Sequence, residues 1–194
     1  MFFLSKKRII LLVSLLIAVV AIGIFQINLK EESIETVALP VSNKVIVLDA
    51  GHGNPDGGAV STNGISEAEI NLKIALKLQN LLEQSGATVI LTRSDENGIY
   101  DADKTKLKNQ KVSDIKNRVK IGNSSSADIF VSIHLNKIPQ SQYSGWQTFF
   151  KSGSEQGEKL ATSIQENLNK TIEKENNRVP MKLDNVYIVK NVEI

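Results

Sequence analysis

The 194 residues contain no cysteine, which rules out a disulfide framework and any thiolate metal site. A basic cluster of the kind that tracks nucleic acid is also missing. The formal charge of +2 comes from Lys6, Lys7 and Arg8 at the front; without them, 20 Lys and Arg face 21 Asp and Glu. Nucleic acid is therefore not an expected partner. There is no internal repeat and no low-complexity tract. The glycine-rich stretch after the first strand-like run has neither P-loop nor dinucleotide spacing, and no HExxH helix occurs. Histidine is nearly absent too, with only His52 and His134 in the whole chain. What is absent fits an extracytoplasmic protein without assigning it to that compartment.

The front end separates cleanly from the rest. Lys6, Lys7 and Arg8 precede an apolar run, Ile9–Phe25, broken only by Ser14 and Gly23. Its length is near the lower limit for a spanning helix. Val19 and Ala21 offer a small-residue cleavage site, but no polar stretch precedes it. The expectation is an uncleaved signal-anchor over residues 1–27, with its basic flank in the cytoplasm and the remainder exported. Residues 28–43, with mixed charges and Pro40, read as a linker, and 44–194 as one domain of ordinary size.

That domain is organised around VIVLDAGHGNPDGG, Val45–Gly58. The aliphatic run Val45–Leu48 predicts a buried strand, and glycines on both sides of His52 let the chain turn sharply at its end. Asp128–Leu135 (DIFVSIHL) predicts a second such strand, ending at His134. Between them Ser66–Gln84 predicts a helix with Ile70, Ile74, Leu78, Leu81 and Leu82 on its apolar face. Ser66 and Glu69 fit a capping box, which leaves Glu67 in the first turn without a capping role. The helix dipole alone would favour an acid there, and a lone histidine after a strand is commonly structural. Ala87–Thr92, Gly145–Lys151 and Asn185–Asn191 read as further strands. Val112–Asn123, through Val112, Ile115 and Val119, and Ser154–Glu175, through Leu160, Ile164, Leu168 and Ile172, read as helices. Arg93–Lys111 reads as a mobile, solvated excursion. Alternating elements predict an α/β, three-layer sandwich with a mainly parallel twisted sheet flanked by helices.

Two neutral imidazoles and one carboxylate make a three-ligand zinc set with a fourth position open to water. The stretches LDAGHG with His52, GISEAEINLKIA with Glu67, and VSIHLN with His134 resemble the zinc-dependent N-acetylmuramoyl-L-alanine amidases called amidase 3. TRSDENGIYD, KVSDIKNRV, SIHLNKIPQ and GWQTFF resemble more narrowly the germination-specific branch of that family, found in spore-forming Firmicutes. The resemblance implies His52, Glu67 and His134 as ligands of Zn2+ and peptidoglycan as substrate. The bond cut would join N-acetylmuramic acid to L-alanine. It also implies a general-base Glu on a further strand, beyond Ile194, since the chain stops just after a segment like VYIVKNVEI. Glu193 aligns with the approach to that strand and is not expected to replace the base. On that ground the chain as given is expected to keep its metal site and to be inactive or nearly so. Asp49 and Asn136 are candidates to orient the ligands or to cap turns; Trp146 reads as core and Arg118 as a solvated helix residue. The rival readings are another zinc hydrolase of wall polymers, or a wall-binding protein without turnover. An activating protein partner is left open.

Overall fold

An aliphatic run such as Val45–Leu48 is stable as a strand when both of its faces are covered. The computed structural model describes residues 5–28, 39–135 and 144–194, and it puts this run in the middle of a sheet. Strand β1 (Val45–Ala50) pairs in parallel with β2 (Thr88–Leu91) on one side and β3 (Ile129–Ile133) on the other. Ile46, Val47 and Leu48 are all 3% exposed or less. In register, Leu48 lies beside Leu91 and Val131, and Asp49 beside Ser132. The carboxyl ends of β1 and β3, which lead to His52 and His134, therefore emerge side by side.

The chain divides into two units, Met1–Ala38 and Leu39–Ile194. The first holds helix α1 (Lys6–Asn28). Among the described residues no helix is long and apolar enough to cross a membrane, so the expected anchor gains no support from the structure. In the second unit, Val41, within the expected linker, packs against the core. Helix α2 (Glu67–Gln84) begins at the N-cap Ser66, whose Oγ accepts from Glu69 N at 3.2 Å. Only half of the capping box forms, because the Glu69 carboxylate pairs with Lys73 instead. The buried face of α2 is also rotated from the expected one. Ala68, Asn71 and Ala75 face inward, while Ile74 and Leu81 are exposed. Small residues let the helix approach the sheet closely, and only Leu78 and Leu82 of the expected face reach the Ile46–Leu48 cluster.

The opposite face of the sheet is covered by α3 (Leu107–Ser124), where Val119 and Ile115 pack with Phe130 of β3. Expected as a periodic core position, Val112 is instead exposed. Gln165, buried on α4 (Glu155–Thr171), explains why the expected strand at 145–151 shrinks to β4 (Phe149–Phe150). Its side-chain amide donates to Trp146 O and accepts from Thr148 N, replacing a neighbouring strand. Strand β4 pairs with β5 (Met181–Lys182) in a separate two-stranded sheet. Half-buried Trp146 donates to Asn169. The expected strand at 185–191 is corrected to helix α5 (Tyr187–Asn191). Ile188 and the C-capping Val192 lie four residues apart, so a helical turn brings both against Val119. Helices on both faces of a parallel sheet make the expected α/β architecture.

Candidate metal centre

His52 follows β1 after the tight Ala50–Gly51 step and adopts a left-handed backbone, φ 63°. Such a conformation is disfavoured for a side chain with a Cβ and persists where its surroundings hold it. The His52 carbonyl accepts from Arg118 Nη2 at 2.6 Å, which anchors the turn. Its ring is oriented by Asp56, 3.0 Å from Nδ1, so that Nε2 points at Glu67. Asp56 also pairs with Lys111 at 2.8 Å. Burial pushes the Asp56 carboxyl up, but the bonds from Lys111 and His52 outweigh it and hold it below the usual value. Asp56 thus does more than turn the chain.

Glu67 opens α2 and is 5% exposed. Its Oε1 lies 3.2 Å from His52 Nε2 and 3.1 Å from His134 Nδ1, and accepts from Leu135 N at 2.8 Å. Oε2 accepts from Ala59 N at 3.0 Å. Burial raises the Glu67 carboxyl, yet the two backbone N–H groups and the neighbouring histidines more than offset it, so it stays below the usual range. His134, at the end of β3, stands edge-on to His52 with ring centroids 4.9 Å apart. Its side chain is 41% exposed, which leaves the cluster open to solvent on that side.

One ligand atom from each of the three residues lies within 4.8 Å of the others, and among the described residues no other such group forms. Four ligands placed about 2.0–2.1 Å from one ion in a tetrahedron are about 3.3 Å apart. The two separations from Glu67 Oε1, 3.1 and 3.2 Å, match that edge, the two imidazole nitrogens lie within 4.8 Å of each other, and the donor set of two imidazoles and a carboxylate suits a divalent ion. Two glycines preserve the space. A Cβ on Gly51 would overlap the His134 ring, and one on Gly58 would meet the His52 ring and Glu67 Oε2 within 3 Å.

Asp49 is fully buried and accepts from Thr92, Arg118 and Ser132. Arg118 links it to His52 by donating to both. Asn136 lies outside the described residues. Glu193 is exposed, and its backbone N–H donates to Asn123. The expectation of solvated charges fails at Arg93 and Arg118, which are 4% and 1% exposed. Arg118 pairs with Asp49 at 2.7 Å and Asp114 at 2.5 Å. Burial alone would lower its pKa, but the two carboxylates raise it above the ordinary arginine value. Arg93 is held below that value by burial and by the nearby Arg118 charge. One signal was available in the sequence: Ile115, Arg118, Val119 and Gly122 follow the i, i+3, i+4, i+7 pattern of a buried face.

Residues 46–194 match the family model for N-acetylmuramoyl-L-alanine amidase. The chain is 36% identical over 155 residues to the germination-specific N-acetylmuramoyl-L-alanine amidase of Bacillus subtilis, covering 80% of this chain and 65% of that relative. The chain thus spans less than two thirds of that relative's length. Among solved structures, the CwlD amidase from Clostridioides difficile in complex with the GerS lipoprotein is similar, with a TM-score of 0.75, 43% identity and 78% of each chain covered. An N-acetylmuramoyl-L-alanine amidase from Clostridium difficile 630 aligns with a TM-score of 0.64 and 26% identity, over 78% of this chain and 75% of that one.

Proposed function

Because the chain belongs to the N-acetylmuramoyl-L-alanine amidase family, we propose that its second unit is a zinc amidase domain acting on peptidoglycan. The bond cut is the amide between the lactyl group of N-acetylmuramic acid and L-alanine. The observation that carries this reading is the convergence of both histidine rings on one oxygen of Glu67, at 3.1 and 3.2 Å. His52, Glu67 and His134 would hold the zinc. When bound, the ion supplies polarisation of the scissile carbonyl and acidification of the attacking water. Asp56 holds the His52 ring so that Nε2 stays available, and Ala59 N–H and Leu135 N–H keep the Glu67 carboxylate charged and fixed. The open side at His134 admits the glycan-linked amide. All three groups are committed as ligands, so none is assigned as the proton acceptor.

A place outside the cytoplasm follows from a peptidoglycan substrate. Tethering through the N-terminal run belongs to the same reading and is supported by Lys6, Lys7 and Arg8 ahead of an apolar sequence. A role in spore cortex rests on the germination-specific relative, and a lipoprotein partner on the complex formed by the Clostridioides difficile amidase.

Zinc-loaded protein incubated with defined muropeptides, followed by mass spectrometry, tests the proposal. Slow release of free peptide with a new L-alanine amino terminus over a long incubation, lost in His134→Ala, supports it. Cleavage within the peptide or loss of acetyl groups would assign another wall hydrolase, and retention on wall without any product would assign a binding protein.

A further inference from the structure

Three consecutive carbonyls link β1 to the turn that carries His52, and each accepts hydrogen bonds from buried side chains. Ala50 O accepts from Arg93 Nε at 2.8 Å and from Arg118 Nη1 at 2.7 Å. Gly51 O accepts from Arg93 Nη2 at 3.1 Å and from Asn71 Nδ2 at 3.2 Å. His52 O accepts from Arg118 Nη2. Arg93 Nη2 also donates at 2.8 Å to Ala68 O, in the first turn of α2 next to Glu67. One planar guanidinium thus spans the segment beside His52 and the segment beside Glu67. The other fixes the left-handed residue itself.

Burying two cations near each other is unfavourable unless their donors are fully used. A strand-to-loop turn by itself needs no such device. The carbonyls that receive these donors lie immediately before or beside two of the three ligand residues. We propose that Arg93 and Arg118 are positioning residues for the metal centre, clamping the backbone so that the His52–Glu67 separation matches one ion. This rests on the reading of His52, Glu67 and His134 as a zinc site. Lysine keeps the charge but replaces the rigid fork with a single point donor, so it releases the carbonyls while still facing Asp49 and Asp114.

The test compares the full chain with Arg93→Lys, Arg118→Lys and Ile188→Ala. The last is a core truncation away from the ligand loop that lowers stability without touching these carbonyls. Zinc affinity is measured by competition with a chromogenic chelator, coordination by the visible spectrum of the cobalt-substituted protein, and stability by melting of the metal-free forms. Each lysine variant should bind zinc about 10–100-fold more weakly, the range for groups that orient ligands, with an altered cobalt spectrum. Ile188→Ala should melt earlier yet keep the affinity and spectrum of the unaltered chain. Unchanged affinity and spectrum in both lysine variants would overturn the positioning role while leaving the zinc site standing. So would an equal affinity loss in Ile188→Ala. Failure of the unaltered chain to take up zinc would overturn both.

Discussion

Adding one methyl group at Gly51 should strip the metal centre of a ligand while leaving the domain folded. An added Cβ would overlap Cε1 and Nε2 of His134 and lie 2.7 Å from its Cδ2. Non-bonded carbons settle at about 3.5–4.0 Å, and the nearest ring carbon, Cε1, would lie at 2.3 Å, so the ring must withdraw by about 1.2 Å or more. The 41% exposure of the His134 side chain leaves room for that withdrawal, at the expense of its 3.1 Å contact with Glu67 Oε1. The 3.0 Å bond from Gly51 N–H to Ile133 O is made by backbone atoms that an alanine also has. Ligand distances tolerate only about ±0.2 Å, so the displaced imidazole no longer coordinates in place. Losing groups that merely orient a ligand costs about 10–100-fold in metal affinity. Displacing the ligand itself should therefore cost at least about 100-fold, or about 2.8 kcal/mol.

Chelator competition gives the zinc affinity of Gly51→Ala, and circular dichroism its metal-free melting. Gly57→Ala is the matched control in the same loop, since its Cβ would meet only Ser66 Cβ at an ordinary 3.5 Å. The expected pattern is a large affinity loss in Gly51→Ala alone, with nearly unchanged melting in both. Wild-type affinity in Gly51→Ala would refute the placement of His134 in the metal sphere.

Asp56→Asn removes the carboxylate that holds His52 Nδ1 and should weaken zinc binding about 10-fold or more. Chelator competition measures the loss, and an unchanged affinity would remove Asp56 from the support of the His52 ring. At the start of β1, the Lys44 ammonium and Val45 N–H hold the Asp128 carboxyl below its ordinary value of 3.8. A depressed folded value means stabilisation present above that ordinary value and lost as pH falls through the lower folded one. The melting-temperature gap between the unaltered chain and Asp128→Asn should therefore hold steady at neutral pH and shrink only below about pH 4. A gap that persists in strong acid would remove the ion pair as its cause.

How much of this was visible beforehand depends on which force sets each feature. The sheet could be read because Val45–Leu48 and Ile129–Ile133 must be covered on both faces, and that requirement is written in side-chain type. The meeting of His52, Glu67 and His134 could be read because both histidines follow those strands, and Glu67 stands in a helix turn that Ser66 already caps. Packing against a specific neighbour is harder to see. The inward face of α2 is chosen by Ala68 and Ala75, whose small size permits close approach, rather than by the larger Ile74 and Leu81. Residues 185–191 alternate well enough for a strand, but Ile188 and Val192 find Val119 only as a helical turn. Arg93 and Arg118 were hidden by their charge, because a cation is read as solvated until the carboxylates and carbonyls that receive it are known.

Those same hidden charges explain the electrical state of the site. Arg118 is paired with Asp49 and Asp114, Arg93 lies close by, and Lys111 is paired with Asp56. Positive and negative groups in the supporting frame nearly cancel, since the second arginine is matched by the second of the two aspartates. The charge facing a bound ion would then come from Glu67 alone, since imidazoles coordinate as neutral ligands. These residues would leave about one positive charge of a divalent ion uncompensated. On the proposed reading, that excess would favour a group beside the ion on which negative charge develops, such as the oxygen of an amide carbonyl. A frame with a spare carboxylate would quench that pull, and one with an unpaired arginine would weaken the hold on the ion. The balance among buried groups therefore matters to the chemistry as much as the identity of the three ligands.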